Sequence, residues 1–421
     1  MKVIETSERF KHFRSDYIKR YCQKIDITNI DFIKGCIYEY LDEKWNRNDV
    51  KNMLSKFSGF NIKRVDFLVK NDKTEFDSAI NKIATYISSM IKNRNLILKP
   101  IRYFDKMDEM SGKLRRLGIE EPLHQICDYI AVNGAKEMLN AKIGIFQCAS
   151  LPNKGQSYGK KCIEKWVNKN EIKYYVKGDI KKCFESINVN KMKKLINRDV
   201  KNKTLVWFIS TLLDMFEKGL SIGSYLSQYF CNYYLSYAYH FASEKLFKIR
   251  KTKNGDKNIR LINHVLFYMD DFILTSNNKK YLKMAMKLII KYLKDFLSLT
   301  VKPNWKLCIF SDVEPIDMMG FVFRKFKTTI REKIFIKTRK KFLKFEKLSK
   351  SNKIIPIKLA YQIISAFGWY KHTDSFMIRV KLNIDKILKI SKRIVSLFSR
   401  EVSYVFRVSK KTEGDFILSY F

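Results

Sequence analysis

Apolar positions at helical spacing open the chain. In FDSAINKIATYISSMIKN, Phe76, Ile80, Ile83, Ile87 and Ile91 recur every three or four residues and predict one buried helix face. IDFIKGCIYEYLDEKW carries a similar basic amphipathic pattern, so residues 1–95 read as a helical extension packed on the remainder of the chain. Then the pattern changes. Lys113 to Ile119 (KLRRLGI) is a short basic piece of β character, with a helix expected from about Pro122. The turn Asn153-Lys154-Gly155 carries a cation in the manner of a phosphate-binding loop, and a helix should begin near Tyr158. Ile172, Tyr174 and Val176 alternate with more polar residues, which predicts a half-buried strand ending at Asp179. A helix over Thr204–Glu217, a turn bracketed by Gly219 and Gly223, and a long aromatic-rich helix come next. The stripe Tyr229, Phe230, Tyr233, Tyr234 and Tyr237 on that last helix fits either core packing or base stacking.

The strongest pattern lies in HVLFYMDDFILTS. Two apolar runs, Val265–Tyr268 and Phe272–Leu274, enclose Asp270 and Asp271 and predict a buried β-hairpin, fed by a polar Asn-Gly-centred loop between Arg250 and Arg260. Two carboxylates at such a tip are costly to bury unless a cation or hydrogen bonds compensate them. After it, Leu282, Met286, Ile289, Leu293 and Phe296 place one apolar face on a helix over Lys279–Leu297. From about residue 330 the chain reads as three basic helical stretches.

Composition narrows the partners. The 421 residues have room for two or three domains, and 46% hydrophobic residues can bury a sizeable core. Lys and Arg outnumber Asp and Glu by 83 to 42, a net charge of +41 spread along the chain, which points to a polyanion such as nucleic acid. No apolar run reaches the ~18 residues of a membrane span, and the N-terminus lacks the apolar core of a signal peptide, so a cytoplasmic protein with no membrane partner is expected. Eight cysteines without a C-x-x-C pair argue against a disulfide framework or a thiolate zinc site, and read as buried thiols in a reducing compartment.

Tyr268-Met269-Asp270-Asp271 resembles the Tyr-x-Asp-Asp hairpin of reverse transcriptases, and further elements of that family stand in order around it. Asp179 ends a strand upstream, Gly223 and Ser227 match a Gly-x-x-x-Ser element, and Ile316 to Phe321 resembles the primer-grip hairpin, with Met319, Gly320 and Phe321 at its centre. The resemblance covers roughly residues 96–400. It implies an α+β right-hand polymerase of fingers, palm and thumb behind the helical N-terminal extension. The divisions would be residues 1–95, residues 96–325 for fingers and palm, and residues 326–421 for a basic helical thumb and C-terminal tail. The implied activity is RNA-directed DNA polymerisation, with Asp179, Asp270 and Asp271 catalytic. With the Ile180 carbonyl, these carboxylates would hold two Mg²⁺ ions, or Mn²⁺ as a substitute, about 3.5–4 Å apart.

On the nucleotide side, Arg115 and Arg116 are candidate triphosphate clamps, although their pattern equally fits a solvated face. Phe184 stands where the family places an aromatic under the sugar to select deoxynucleotides. Gly223 would let base and nucleotide approach the backbone. Lys302 and Lys306 both fit the family's lysine near the triphosphate, a candidate general acid.

The wording Ile222-Gly223-Ser224-Tyr225-Leu226-Ser227-Gln228, aliphatic first and Gln last, resembles the reverse transcriptases of diversity-generating retroelements, which copy a template RNA with errors at adenines. That implies a structured noncoding or template RNA, deoxynucleoside triphosphates, a DNA product and a small accessory protein or homo-oligomer. An antiphage-defence reverse transcriptase is the alternative, its N-terminal region and tail binding a dedicated RNA and its product repetitive or untemplated. A catalytically dead RNA-binding fold would predict eroded carboxylates, yet all three are present. Too little chain remains beyond the thumb for an RNase H domain, and His372 with Asp374 makes no nuclease motif.

Overall fold

A computed structural model describes residues 19–408, apart from 43, 62–64, 66–68, 70–72, 109–111, 253–254 and 352, with side chains described as far as 398. The signal-peptide reading of the extreme N-terminus and the tail beyond 408 fall outside these residues. The chain divides into two compact units, residues 1–159 with 171–309, and residues 160–170 with 310–421.

The first unit holds the helices Ile30–Leu41, Asn48–Ser58 and Lys73–Lys92, the third packing on each of the first two, which also pack against Pro122–Gly134. Local chemistry sets their ends: Asn29 caps the first by accepting from the Phe32 N–H at 2.9 Å, and Gly59 ends the second in a left-handed conformation. Ile80, Ile83, Ile87 and Ile91 are fully buried, as their spacing predicts. Strands β1 (Arg102–Met107) and β2 (Leu114–Ile119) form an antiparallel hairpin.

Five strands make the main sheet. They are β3 (Gln147–Cys148), β4 (Tyr174–Asp179) and, after a separate hairpin of β5 (Phe247–Thr252) and β6 (Gly255–Arg260), β7 (His264–Tyr268), β8 (Asp271–Ser276) and β9 (Leu307–Ile309). Their order is β3-β7-β8-β4-β9, with β3 parallel to β7 and the other pairings antiparallel. Tyr175 and Val176 point to opposite faces of the sheet and are both buried, so β4 is covered on both faces where simple alternation predicts one. The Lys279–Leu297 and Tyr225–His240 helices pack on the sheet and on each other. The helix expected at Tyr158 starts at Gln156, and the one expected to reach Glu217 stops at Asp214. Among the described residues no helix is long and apolar enough to cross a membrane.

The tyrosine stripe is core, with Tyr229 alone half-buried. The hydroxyls of Tyr233 and Tyr237 converge on Asp199, which is fully buried, while Tyr234 donates to the Leu297 carbonyl. Asp199 Oδ2 accepts from Tyr233 at 3.0 Å and from Tyr237 at 2.5 Å and lies 3.2 Å from Lys142 Nζ, while Arg198 Nε donates to Oδ1 at 2.9 Å.

The second unit holds the three-stranded antiparallel sheet β10 (Ile316–Met318), β11 (Phe321–Arg324) and β12 (Lys327–Ile330). It also holds the helices Glu332–Lys350, Ile357–Lys371, Phe376–Lys381 and Ile384–Val408, the short third one interrupting the predicted three. Phe342, Phe345, Ile363, Tyr370 and Ile384 form its core, and Tyr370 and Thr338 share a buried hydroxyl contact of 2.8 Å.

Candidate active site

The β7–β8 hairpin turns through two residues, Met269 and Asp270, with Tyr268 opposite Asp271. A turn this tight needs positive φ at its first position, and Met269 adopts 53° there. Buried neighbours hold it. The Asn232 side-chain amide donates to Met269 Sδ at 3.4 Å and to the Ala149 carbonyl at 3.1 Å, and Phe267 stacks on Phe272 across the hairpin at 5.0 Å.

The next strand brings the third carboxylate. Asp179, the last residue of β4, pairs in register with Asp271, and the Ile180 N–H donates to the Asp270 carbonyl at 3.0 Å. The bonds to the Val301 side come from Asp179 and Lys181, so the Ile180 carbonyl, like its N–H, is turned toward the hairpin. On that other side, the Lys302 N–H donates to the Asp179 carbonyl at 2.9 Å and Lys302 Nζ donates to Asp179 Oδ2 at 2.6 Å.

Three carboxylates so placed repel one another. Burial, with the charges of Asp270 and Asp179 as lesser causes, pushes the Asp271 carboxyl up to about 6. Asp270 is also raised, again chiefly by burial, although Lys302 and Arg115 pull the other way. Asp179 Oδ1 is buried with no hydrogen-bond partner among the described residues. An orphaned carboxylate oxygen beside two destabilised carboxylates fits a hard divalent cation such as Mg²⁺, which prefers oxygen donors.

The other candidates separate by environment. Arg115 lies 3.1 Å from Asp108 and acts on Asp270 through its charge, whereas Arg116 grips Glu217 at 2.8 Å and lies over the Tyr103 ring. Adjacent residues on β2 point to opposite faces. Lys302 meets Asp179, while Lys306 is exposed. Phe184 is half-buried in the short Cys183–Ser186 helix, its carbonyl accepting from the Leu220 N–H at 2.8 Å.

Ile222 docks on β2, accepting from the Gly118 N–H at 2.9 Å, and Gly223 takes a φ of +116°. A Cβ on Gly223 would lie 2.7 Å from the Gly118 carbonyl oxygen, so the close neighbour that requires glycine here is protein backbone. Ser227 is fully buried with its Oγ unpartnered among the described residues; Gln228 is half-buried. Lys154, the turn cation, is partly buried and donates to the Gly144 carbonyl at 3.1 Å. In the second unit Met319 and Gly320 form the β10–β11 turn, both with positive φ, and Phe321 packs against Trp369.

Two features escape the sequence patterns. Asn232, which braces the hairpin, reads as one more polar residue on an aromatic helix. Glu120, His124 and Asp128 converge although none belongs to a recognised motif. Their four-residue spacing was the available signal.

Residues 104–323, more than half of the chain, match the family described as Reverse transcriptase (RNA-dependent DNA polymerase). No curated protein matches the chain.

Proposed function

The chain belongs to the reverse transcriptase family, and from that premise we propose that Asp179, Asp270 and Asp271, with the Ile180 carbonyl, hold two Mg²⁺ ions for nucleotide addition to a primer. The protein is an RNA-directed DNA polymerase, a nucleotidyltransferase that works on a nucleic-acid template with deoxynucleoside triphosphates. The observation that carries the proposal is the register of Asp179 with Asp271, which gathers three carboxylates and leaves Asp179 Oδ1 unpartnered.

Metal ions held there supply the positive charge that eases deprotonation of the 3′-hydroxyl and departure of pyrophosphate. The residues supply position and a proton. Arg115 faces the same field as Asp270 and binds the triphosphate. Phe184 bears on the sugar and disfavours a 2′-hydroxyl. As the 3′ oxygen bonds the α-phosphorus and the bridging P–O bond breaks, Lys302 Nζ gives a proton to the leaving pyrophosphate. Lys302→Ala is then expected to lower kcat by about 10²-fold, with Lys306→Ala unchanged; equal losses in single-turnover assays would remove Lys302 from this role. Met319, Gly320 and Phe321 hold the primer terminus.

The Ile222-to-Gln228 segment favours an error-prone enzyme of the diversity-generating kind, copying a structured RNA with an accessory protein or a second copy of itself. The N-terminal helical layer on Pro122–Gly134 favours a second reading, antiphage defence with a dedicated noncoding RNA. Purified chain with its co-expressed RNA, Mg²⁺ and labelled deoxynucleotides separates them once the product is sequenced. A copy with adenine-biased errors supports the first, and a repeat or homopolymer the second. No product with any RNA or primer overturns both.

A further inference from the structure

Away from the hairpin, the end of β2 and the start of the Pro122–Gly134 helix bury three metal-ligating side chains together. Glu120 comes directly after β2, and His124 and Asp128 stand four and eight residues further on. They are 3%, 1% and 0% exposed, and one ligand atom from each lies within 4.8 Å of the others.

Their hydrogen bonding is incomplete in a way that points to a ligand. Both ring nitrogens of His124 are buried without a partner among the described residues, and the Glu120 and Asp128 carboxyls, with Oε1 and Oδ1 buried, have each other and Ser224 to offset their mutual repulsion. A buried imidazole with neither nitrogen satisfied is costly, because each ring nitrogen has given up water for nothing. Asp128 is already aimed: its Oδ2 accepts from Ser224 Oγ at 2.7 Å and from the Leu226 N–H at 2.9 Å, which leaves Oδ1 for another partner. Such hydrogen bonds commonly fix the orientation of metal ligands. A cavity of about 520 Å³, lined in part by Ile97, Lys99, Arg102 and Ile119, reaches Glu120 and His124 and offers a way in.

We propose that Glu120, His124 and Asp128 form a second cation site that holds one Zn²⁺ ion, separate from the aspartates at the hairpin tip. Two carboxylates neutralise a dication, and an imidazole ligand favours zinc over magnesium or calcium. With three protein ligands, the fourth position belongs to a water from the cavity. None of the cysteines takes part. The ion ties the end of β2 to the Pro122–Gly134 helix and, through Asp128, to Ser224, which caps the Tyr225–His240 helix. Ile222 and Gly223 dock on β2 at the same junction, so the ion acts as a positioning element for the strand that carries Arg115.

The test is metal analysis of the full chain by atomic spectrometry, with thermal unfolding alongside. One equivalent of zinc per chain is expected in the wild type and in Asp270→Asn/Asp271→Asn, falling to background in His124→Gln and in Glu120→Gln. Chelation should lower the wild-type Tm by several degrees, zinc should restore it, and His124→Gln should respond to neither. A wild-type chain free of zinc, with a Tm that zinc does not move, would overturn the proposal and leave Glu120 and Asp128 as an acid pair sharing a proton. If the variants fail to fold, the wild-type chelation and add-back decide alone. Because these readouts do not use polymerisation, they stand or fall independently of the proposed function.

Discussion

Asp270→Asn/Asp271→Asn is expected to lose nucleotide addition by at least about 10³-fold and yet to unfold at a higher temperature than the wild type in Mg²⁺-free buffer at neutral pH. The two effects share one cause. Asp271 has its carboxyl pushed from 3.8 up to about 6 by burial and by the charges of Asp270 and Asp179. A raised carboxyl binds its proton more tightly in the folded state, so its contribution to stability is full below 3.8 and is lost as the pH rises through about 6. Taken at face value, two pKa units are roughly 3 kcal/mol. The carboxyl of Asp271 is crowded by the surrounding protein and by Asp270 and Asp179, but much of the residue's surface still meets water, and screening reduces this to on the order of 1 kcal/mol, or a few degrees in Tm. The amides carry no such penalty. The stability gap should close near pH 4, and Mg²⁺ should raise the Tm of the wild type alone. A wild type that melts above the variant in chelator at neutral pH would show that the carboxylates are not under strain, and retained polymerisation would remove them from catalysis.

Asp199→Ala should cause the larger loss of stability, about 3–5 kcal/mol. Asp199 is fully buried, and burial alone would raise its carboxyl. Hydrogen bonds from Arg198 and Tyr237 and the charge of Lys142 outweigh burial and hold it below the usual 3.8. Removing it strands the cations beside two buried tyrosine hydroxyls. The depressed carboxyl contributes its stability above 3.8 and loses it only as the pH falls through its lower folded value. The cost of the substitution should therefore be constant from about pH 5 to 8. Urea unfolding measures it; a change of under about 1 kcal/mol, the size of a single ordinary hydrogen bond, would mean that the network is ornamental.

Short-range rules govern the parts of the molecule that are legible in its sequence. The apolar runs around Asp270 and Asp271 fold as a hairpin because their spacing allows little else, and the isoleucines at 80, 83, 87 and 91 lie on one buried face for the same reason. Long-range placement is harder. Strand β3 is two residues long, too short for any periodicity, and its parallel pairing with β7 depends on residues far along the chain. Whether Arg115 or Arg116 faces Asp270, and whether Lys302 or Lys306 meets Asp179, depends on which strand face is turned inward, which neighbouring lysines and arginines do not declare. Asp199, Asn232 and the Glu120–His124–Asp128 group are polar residues in otherwise ordinary segments. Only packing reveals that each is buried.

The interleaved strand order also sets a schedule. β4 must wait for β8 to be made before its central pairing exists, and β9 closes its other edge later still. Non-local pairing of this kind folds slowly, and at synthesis rates of about 5–20 residues per second there is time for the difference to matter. A chain still leaving the ribosome already carries much of its positive charge, but its aspartates have not met.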